Sequence, residues 1–136
     1  MKTMERVLKD YPNHATLIRA VVSRIGKDSI KDVNGHGIDG GFNGFIYYRD
    51  TCAFFSRHKQ AILDMAKETA ESLGEDLLSM VAHFNCLSNQ GKPDYSQDEI
   101  ARALYGRETK EQSGRENIQN AMAWFAAEEV CRMFEE

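Results

Sequence analysis

The sequence predicts a mainly α-helical fold that forms one domain over residues 1–136. Apolar residues recur at helical spacing along most of the chain, which is typical of helices that bury one face. The chain contains only two prolines, Pro12 and Pro93, the residue type that interrupts helices most strongly. Half of the ten glycines fall within residues 34–44. We therefore expect a bundle of five to seven helices with one glycine-rich loop and at most a short β segment.

The first helices are predicted over residues 2–9 and 15–25. Tyr11-Pro12-Asn13 separates them, because a proline disfavours the helical conformation of the residue before it. The second segment carries a stripe of aliphatic residues at helical spacing, and Gly26 is a suitable helix stop.

The main helical tract is predicted over residues 52–73, with a bend at residues 56–58. Asp50-Thr51 is a suitable N-cap for it, and Gly74 ends it. A further helix over residues 75–87 follows directly, so we expect the two to meet at a sharp joint.

Two capping boxes are predicted near the C-terminus, in which a serine and a glutamate satisfy each other's backbone donors. Ser96 with Glu99 begins a short helix that Gly106 ends, and Ser113 with Glu116 begins the last helix, predicted over residues 115–134. This last helix has the strongest apolar face, with Trp124 beside it; the face comprises Ile118, Ala121, Met122, Phe125, Ala126, Val130, Met133 and Phe134.

The composition restricts the function. A net charge of −4 and a pI of about 5.6 are not those of a nucleic-acid-binding domain, so we expect no direct nucleic-acid contact. No apolar run reaches the ~18 residues that a membrane span needs, and the charged N-terminus does not resemble a signal peptide. The three cysteines are an odd number without a CxxC pair, which favours reduced thiols. We expect a protein of the cytoplasm.

The segment 34–44 reads NGHGIDGGFNG and is too rich in glycine for a regular helix. It matches GxGxxG formally, but the polar stretch before it and the glycines after it do not give the strand and helix that dinucleotide binding requires. Two interpretations stay open. The segment is either a connector packed against the helices or a binding loop that presents His36, Asp39 and Asn43.

An aromatic and charged cluster follows the loop. Residues 45–48 are β-prone and predict one short strand or an extended bridge. In an extended run, Tyr48 points outward if Tyr47 faces the core. Aromatic residues and arginine are enriched where interfaces are strongest. We therefore add Tyr47, Tyr48, Arg49 and Asp50 to the predicted binding residues.

Catalytic and metal chemistry has little support in the sequence. His36 and Asp39 would need one or two more ligands to hold a metal, and nothing connects them to His83 and Cys86, which lie one helical turn apart. No nucleophile signature surrounds the cysteines. We predict no catalytic residue, no metal and no cofactor. The alternative of a small enzyme or ligand-binding protein that uses the glycine-rich loop with His36 and Asp39 stays open.

The stretch from His36 to Thr51, which reads HGIDGGFNGFIYYRDT, resembles the signature of an uncharacterised family of small proteins encoded by phages and prophages. The resemblance covers the chain from about Val21 to the C-terminus and brings no known active site. It implies a context, because such proteins are often inhibitors of host defence, including anti-CRISPR proteins that bind an effector complex. Further stretches that share it are Leu73-Gly-Glu-Asp, Phe84-Asn-Cys, Ala103-Leu-Tyr-Gly106 and Ala123-Trp-Phe-Ala126.

The leading hypothesis is therefore a non-enzymatic protein that binds and inhibits a bacterial defence complex, such as a CRISPR effector. Its contact surface would comprise the glycine-rich segment, the two tyrosines and nearby acidic helix faces. Carboxylates there would compete for the Lys and Arg patches that hold nucleic-acid phosphates. A second alternative is a structural homodimer built on spare apolar surface around Trp124.

Overall fold

The fold is known from a computed structural model that describes residues 1–25, 48–88, 96–106 and 112–135, with the backbone alone for residues 48, 83–88, 97 and 112–115. These residues form helices without a strand, which confirms the predicted fold class. In chain order the elements are α1 (Met4–Asp10), a 3₁₀ helix (Pro12–His14), α2 (Ala15–Ile25), α3 (Tyr48–Arg57), α4 (Lys59–Ser72), α5 (Leu77–Ser88), α6 (Gln97–Tyr105) and α7 (Gln112–Met133).

Helix α7 lies at the centre of the fold. It packs against α2, α3, α4, α5 and α6, and every described α-helix contributes side chains to one apolar core. The seven consecutive residues 121–127 are all buried, which an amphipathic surface helix would not show. Ala123, Ala126 and Ala127 are 0% exposed, and their small side chains allow the surrounding helices to approach closely.

The central position of α7 also affects the homodimer hypothesis. Trp124 is only 8% exposed and belongs to the core of its own chain. The indole ring is therefore not spare surface, and that hypothesis loses the observation on which it rested.

The predicted bend in the main helical tract is confirmed. The tract divides at His58 into α3 and α4, and His58 has φ −115° and ψ 22°, outside the helical region. Gly74 follows the end of α4 with φ +71°, a conformation that favours glycine. Helix α5 begins at Leu77, slightly later than predicted, because the Asp76 carboxylate accepts the Ser79 backbone N–H over 2.9 Å.

The first predicted capping box is present in part, because Ser96 caps α6 but the Glu99 carboxylate contacts the Ser96 hydroxyl and not the Ser96 backbone N–H. The Ser96 hydroxyl accepts the Glu99 N–H over 3.2 Å and donates to the Glu99 carboxylate over 3.1 Å. The prediction for Ser113 is wrong, because α7 already begins at Gln112 and Ser113 lies within it.

The start of α3 requires two further corrections. The helix begins at Tyr48, so Tyr48 is not in an extended strand and Asp50-Thr51 lies in the first turns of the helix rather than at its cap. Thr51 lies in the first turns of α3 and is fully buried. Its contacts in the core favour the helical conformation there over the strand that the β propensity of the tyrosines predicts. Residues 45–47 lie outside the described part of the chain.

The two ends of the described chain meet. The backbone N–H of Lys2 donates to the Phe134 carbonyl oxygen over 2.8 Å, which places α1 beside the end of α7. None of the described helices combines the length and the apolar character that a membrane-crossing helix needs.

Candidate functional site

The predicted binding residues fall on both sides of the boundary of the described structure. His36, Asp39, Asn43 and Tyr47 lie outside the described residues, so their role stays a prediction. Tyr48 is the first residue of α3. Arg49 and Asp50 follow it and are the predicted residues whose side chains the structure places.

Arg49 and Asp50 lie where the start of α3 meets the end of α2. The Arg49 side chain is 88% exposed, and its Nε lies 3.8 Å from the Asp50 carboxylate. The same carboxylate lies 3.7 Å from a guanidinium nitrogen of Arg24 on α2. Surface pairs of this kind contribute only ~0–1 kcal/mol to stability. The Arg49 guanidinium therefore remains accessible to a partner.

Helix α2 is tied to the α3–α4 tract at both ends. At its beginning the His14 ring lies 2.7 Å from the Glu68 carboxylate of α4, and at its end Arg24 reaches Asp50 of α3. The two contacts show that α2 runs antiparallel to this tract. The Arg49 region and the C-terminal part of α4 therefore lie at opposite ends of α2.

An acidic edge extends along α4 into the turn before α5. Its exposed carboxylates create a local negative potential that attracts basic surfaces. Leu73 lies within it and is 63% exposed, an apolar side chain surrounded in sequence by charge. We define the acidic edge as Asp64, Glu68, Glu71, Glu75 and Asp76, all of which are exposed.

The outer face of α6 was not identified from the sequence. The inner face of this helix is fixed in the core by Ile100, Ala103 and Leu104, which are at most 2% exposed. At the opposite face Tyr105 is 57% exposed, and Arg102 is exposed one turn before it. Arg102 and Tyr105 lie one helical turn apart and away from the apolar positions of α6. This pattern is the sequence signal that would have located the outer face of the helix.

The outer face of α6 borders a shallow concavity of about 520 Å³. Tyrosine and arginine are the side chains most often responsible for strong protein–protein contacts, since each combines a large area with hydrogen-bonding groups. We call this concavity the α6 face; it is lined by Asp98, Ala101, Arg102, Tyr105 and Gly106.

Gly106 fixes the end of the α6 face. Its N–H donates to the Arg102 carbonyl oxygen over 2.8 Å, and a Cβ at this position would approach the same oxygen to 2.5 Å. A larger residue would therefore displace the backbone. Gly106 also lines a second cleft, so the two concavities are neighbours.

This second cleft has a volume of about 450 Å³ and lies between α3, the start of α4 and α7. The Cys52 thiol donates to the Glu116 carbonyl oxygen over 3.5 Å, and Gln119 Nε2 donates to the Ala103 carbonyl oxygen over 3.2 Å. These bonds hold α3, α6 and α7 around the opening. We call it the α3–α7 cleft; its walls are Cys52, Ala53, Phe55, Ser56, Lys59, Gly106, Glu116 and Gln119.

The structure does not test the residues that were considered as metal ligands. His36 and Asp39 lie outside the described residues, and the side chains of His83 and Cys86 are not described. Among the side chains that are described, no three of His, Cys, Asp or Glu are arranged as metal ligands.

Comparison with known proteins gives one match. A family model described as a domain of unknown function, DUF7222, matches residues 7–136. The matched range begins within α1 and includes every later helix. No curated protein and no solved structure matches the chain.

Proposed function

Because the chain belongs to the DUF7222 family, a domain of unknown function, we propose its function from the surface of its own fold. It is a protein-binding module that docks a protein partner on the α6 face. The observation that carries this proposal is the pairing of Tyr105, 57% exposed, with the neighbouring exposed Arg102 in a concave surface. Arg49, Asp50 and the other predicted binding residues extend the contact surface in this proposal.

The α6 face has the physical properties of a protein-docking surface. A tyrosine ring buries roughly 150–250 Å² and loses few rotatable bonds on binding. The buried inner face of α6 and the restricted backbone of Gly106 hold the backbone of Tyr105 in place before a partner arrives. Little ordering free energy is then lost on association.

For the partner, we propose a bacterial defence complex of the CRISPR effector type, which the chain inhibits by contact. The resemblance stated above supplies this context. The acidic edge supports it, since exposed carboxylates complement the Lys and Arg surfaces with which such complexes hold nucleic-acid phosphates. The small-enzyme alternative with His36 and Asp39 in the glycine-rich loop stays a separate hypothesis.

A plaque assay tests the inhibitory function. The chain is expressed in a bacterial strain whose CRISPR system restricts a phage, and the efficiency of plaquing is measured. We expect plaques to return with the wild-type chain and to be lost with the double variant Tyr105→Ala/Arg102→Ala. Arg19→Ala is the matched control, because Arg19 is an exposed arginine on α2, away from the α6 face.

Binding of purified components separates the two parts of the proposal. We expect the double variant to bind the effector complex at least about tenfold more weakly than the wild type, as for the loss of a strong interface residue. Equal binding of both proteins would reject the α6 face as the docking surface. Failure of the wild-type chain to bind effectors or to restore plaques would reject the defence partner. Circular dichroism confirms that the variants are folded.

A further inference from the structure

The α3–α7 cleft contains two opposite charges that do not neutralise each other. Lys59 at the start of α4 and Glu116 on α7 both line it, and both are half-buried. Within the described part of the chain, neither the Lys59 ammonium nor the Glu116 carboxylate has an ion-pair partner. Each charge is therefore available to form a charge-assisted hydrogen bond with a ligand group of opposite sign.

The remaining walls of the cleft supply hydrogen-bonding groups in fixed positions. Gln119 donates from Nε2 to the Ala103 carbonyl oxygen, which leaves its own Oε1 as an acceptor. The Ser56 hydroxyl can donate and accept. Phe55, 1% exposed, gives a rigid apolar wall.

The size of the cleft restricts the ligand. Its volume of about 450 Å³ lies near the lower end of the range for small-molecule pockets, ~300–1,000 Å³. One cation and one anion line it, so a ligand with a single charge would leave one of them without a partner. A compact molecule that carries both charges satisfies the two groups together.

We propose that the α3–α7 cleft binds a small zwitterion of the free α-amino acid class. Its carboxylate pairs with the Lys59 ammonium and its ammonium pairs with the Glu116 carboxylate. This site is separate from the partner contact at Tyr105, although Gly106 borders both.

Titration of the whole chain with the twenty common amino acids tests this proposal. Thermal-shift measurements select the amino acids that stabilise the fold, and calorimetry gives their dissociation constants. For each amino acid that binds, the methyl ester removes the carboxylate and the N-acetyl derivative removes the ammonium. We expect each derivative to bind at least about tenfold more weakly, the effect of losing one charge-assisted hydrogen bond.

Two variants and two matched controls locate the binding. Lys59→Met and Glu116→Gln should each weaken binding at least about tenfold, because each removes one charge while nearly keeping the shape. Lys67→Met and Glu5→Gln, which change exposed residues away from the cleft, should not alter it. If a cleft variant does not fold, the comparison of ester and N-acetyl derivatives on the wild-type chain decides the question.

Three results would overturn the proposal. The first is that no amino acid binds at concentrations up to about 10 mM. The second is that the ester and N-acetyl derivatives bind as tightly as the parent amino acid. The third is that both cleft variants bind as tightly as the wild-type chain. Each leaves the plaque and effector-binding results unchanged, because those measure the α6 face.

Discussion

The hydroxyl of Thr51 donates a hydrogen bond to the side-chain oxygen Oδ1 of Asn120 over 2.5 Å. Thr51 is fully buried and Asn120 is half-buried, so this bond joins α3 to the central helix α7 at the edge of the core. A buried polar group that lacks a hydrogen-bond partner costs free energy of folding. A hydrogen bond between two helices instead fixes their position relative to each other. This bond accordingly specifies how the first turns of α3 lie on α7.

Removal of the Thr51 hydroxyl should destabilise the fold. Thr51→Val keeps the shape of the side chain but leaves Asn120 Oδ1 without its donor, so we expect a loss of about 1–3 kcal/mol in the free energy of unfolding. Urea denaturation measures this loss. Thr51→Ser is the control, since it keeps the hydroxyl and removes one methyl group, at a cost of about 0.8 kcal/mol. A valine variant as stable as the wild type would show that the hydrogen bond has no net effect.

The His14–Glu68 contact should contribute to the docking of α2 on α4. The His14 side chain is 10% exposed and Glu68 is 59% exposed, so the pair is partly shielded from solvent. In a double-mutant cycle with His14→Ala and Glu68→Ala we expect a coupling free energy of about 0.5–1 kcal/mol. Strictly additive variants would contradict a direct interaction.

His58 should make the stability of the protein depend on pH. Burial at the α3–α4 break, and secondarily the positive charge of Arg57, lower the pKa of His58 below its ordinary 6.5. The unfolded chain therefore binds a proton at a higher pH than the native chain does. The stability that neutral His58 contributes is complete above pH 6.5 and decreases as the pH falls through the lowered native pKa.

Melting temperatures of the wild type and His58→Gln between about pH 7.5 and pH 5 measure this effect. The wild type should lose more stability on acidification than the variant, because glutamine does not titrate. An NMR titration of the His58 ring provides the direct check. Parallel pH profiles for the two proteins would mean that His58 has the same pKa in the folded and unfolded chains.

The Cys131 thiol should be chemically inert in the native protein. It is 0% exposed, and burial together with the Glu128 and Glu135 carboxylates raises its pKa to about 12. The thiolate that reacts with iodoacetamide is therefore almost absent near neutral pH. Peptide mapping by mass spectrometry should find Cys131 unmodified in the native chain and modified in about 6 M guanidinium, with the less buried Cys52 as the internal comparison. Equal labelling of both native thiols would contradict this assignment.

Sequence patterns predicted the elements that short-range chemistry controls. The Ser96 N-cap, the break at His58 and the stop at Gly74 are each settled within a few residues, by hydrogen bonds or by backbone conformation. The predictions at Tyr48 and Ser113 failed, because a locally reasonable strand or cap gives way to a helix that already includes these residues. At the start of α3, the long-range contact between Thr51 and Asn120 favours the helix over the strand.

The residues of the candidate surfaces were likewise predicted only in part from the sequence. The sequence identified Arg49 and Asp50, which the structure places at the protein surface. The predicted binding residues did not include Tyr105, although the apolar stripe of α6 leaves it on the face opposite the core. The sequence also contained no indication that Lys59 and Glu116 line a common cleft.

The sequence by itself determined a helical chain of low net charge, most of its helix boundaries and the aliphatic residues of its core. Tertiary structure decided that α7 is central, that Thr51 meets Asn120 and that Lys59 faces the same opening as Glu116. The physical reason is distance along the chain. Periodicity and capping act over one or two helical turns, whereas these contacts join residues far apart in sequence, which only the packing of one helix on another brings together.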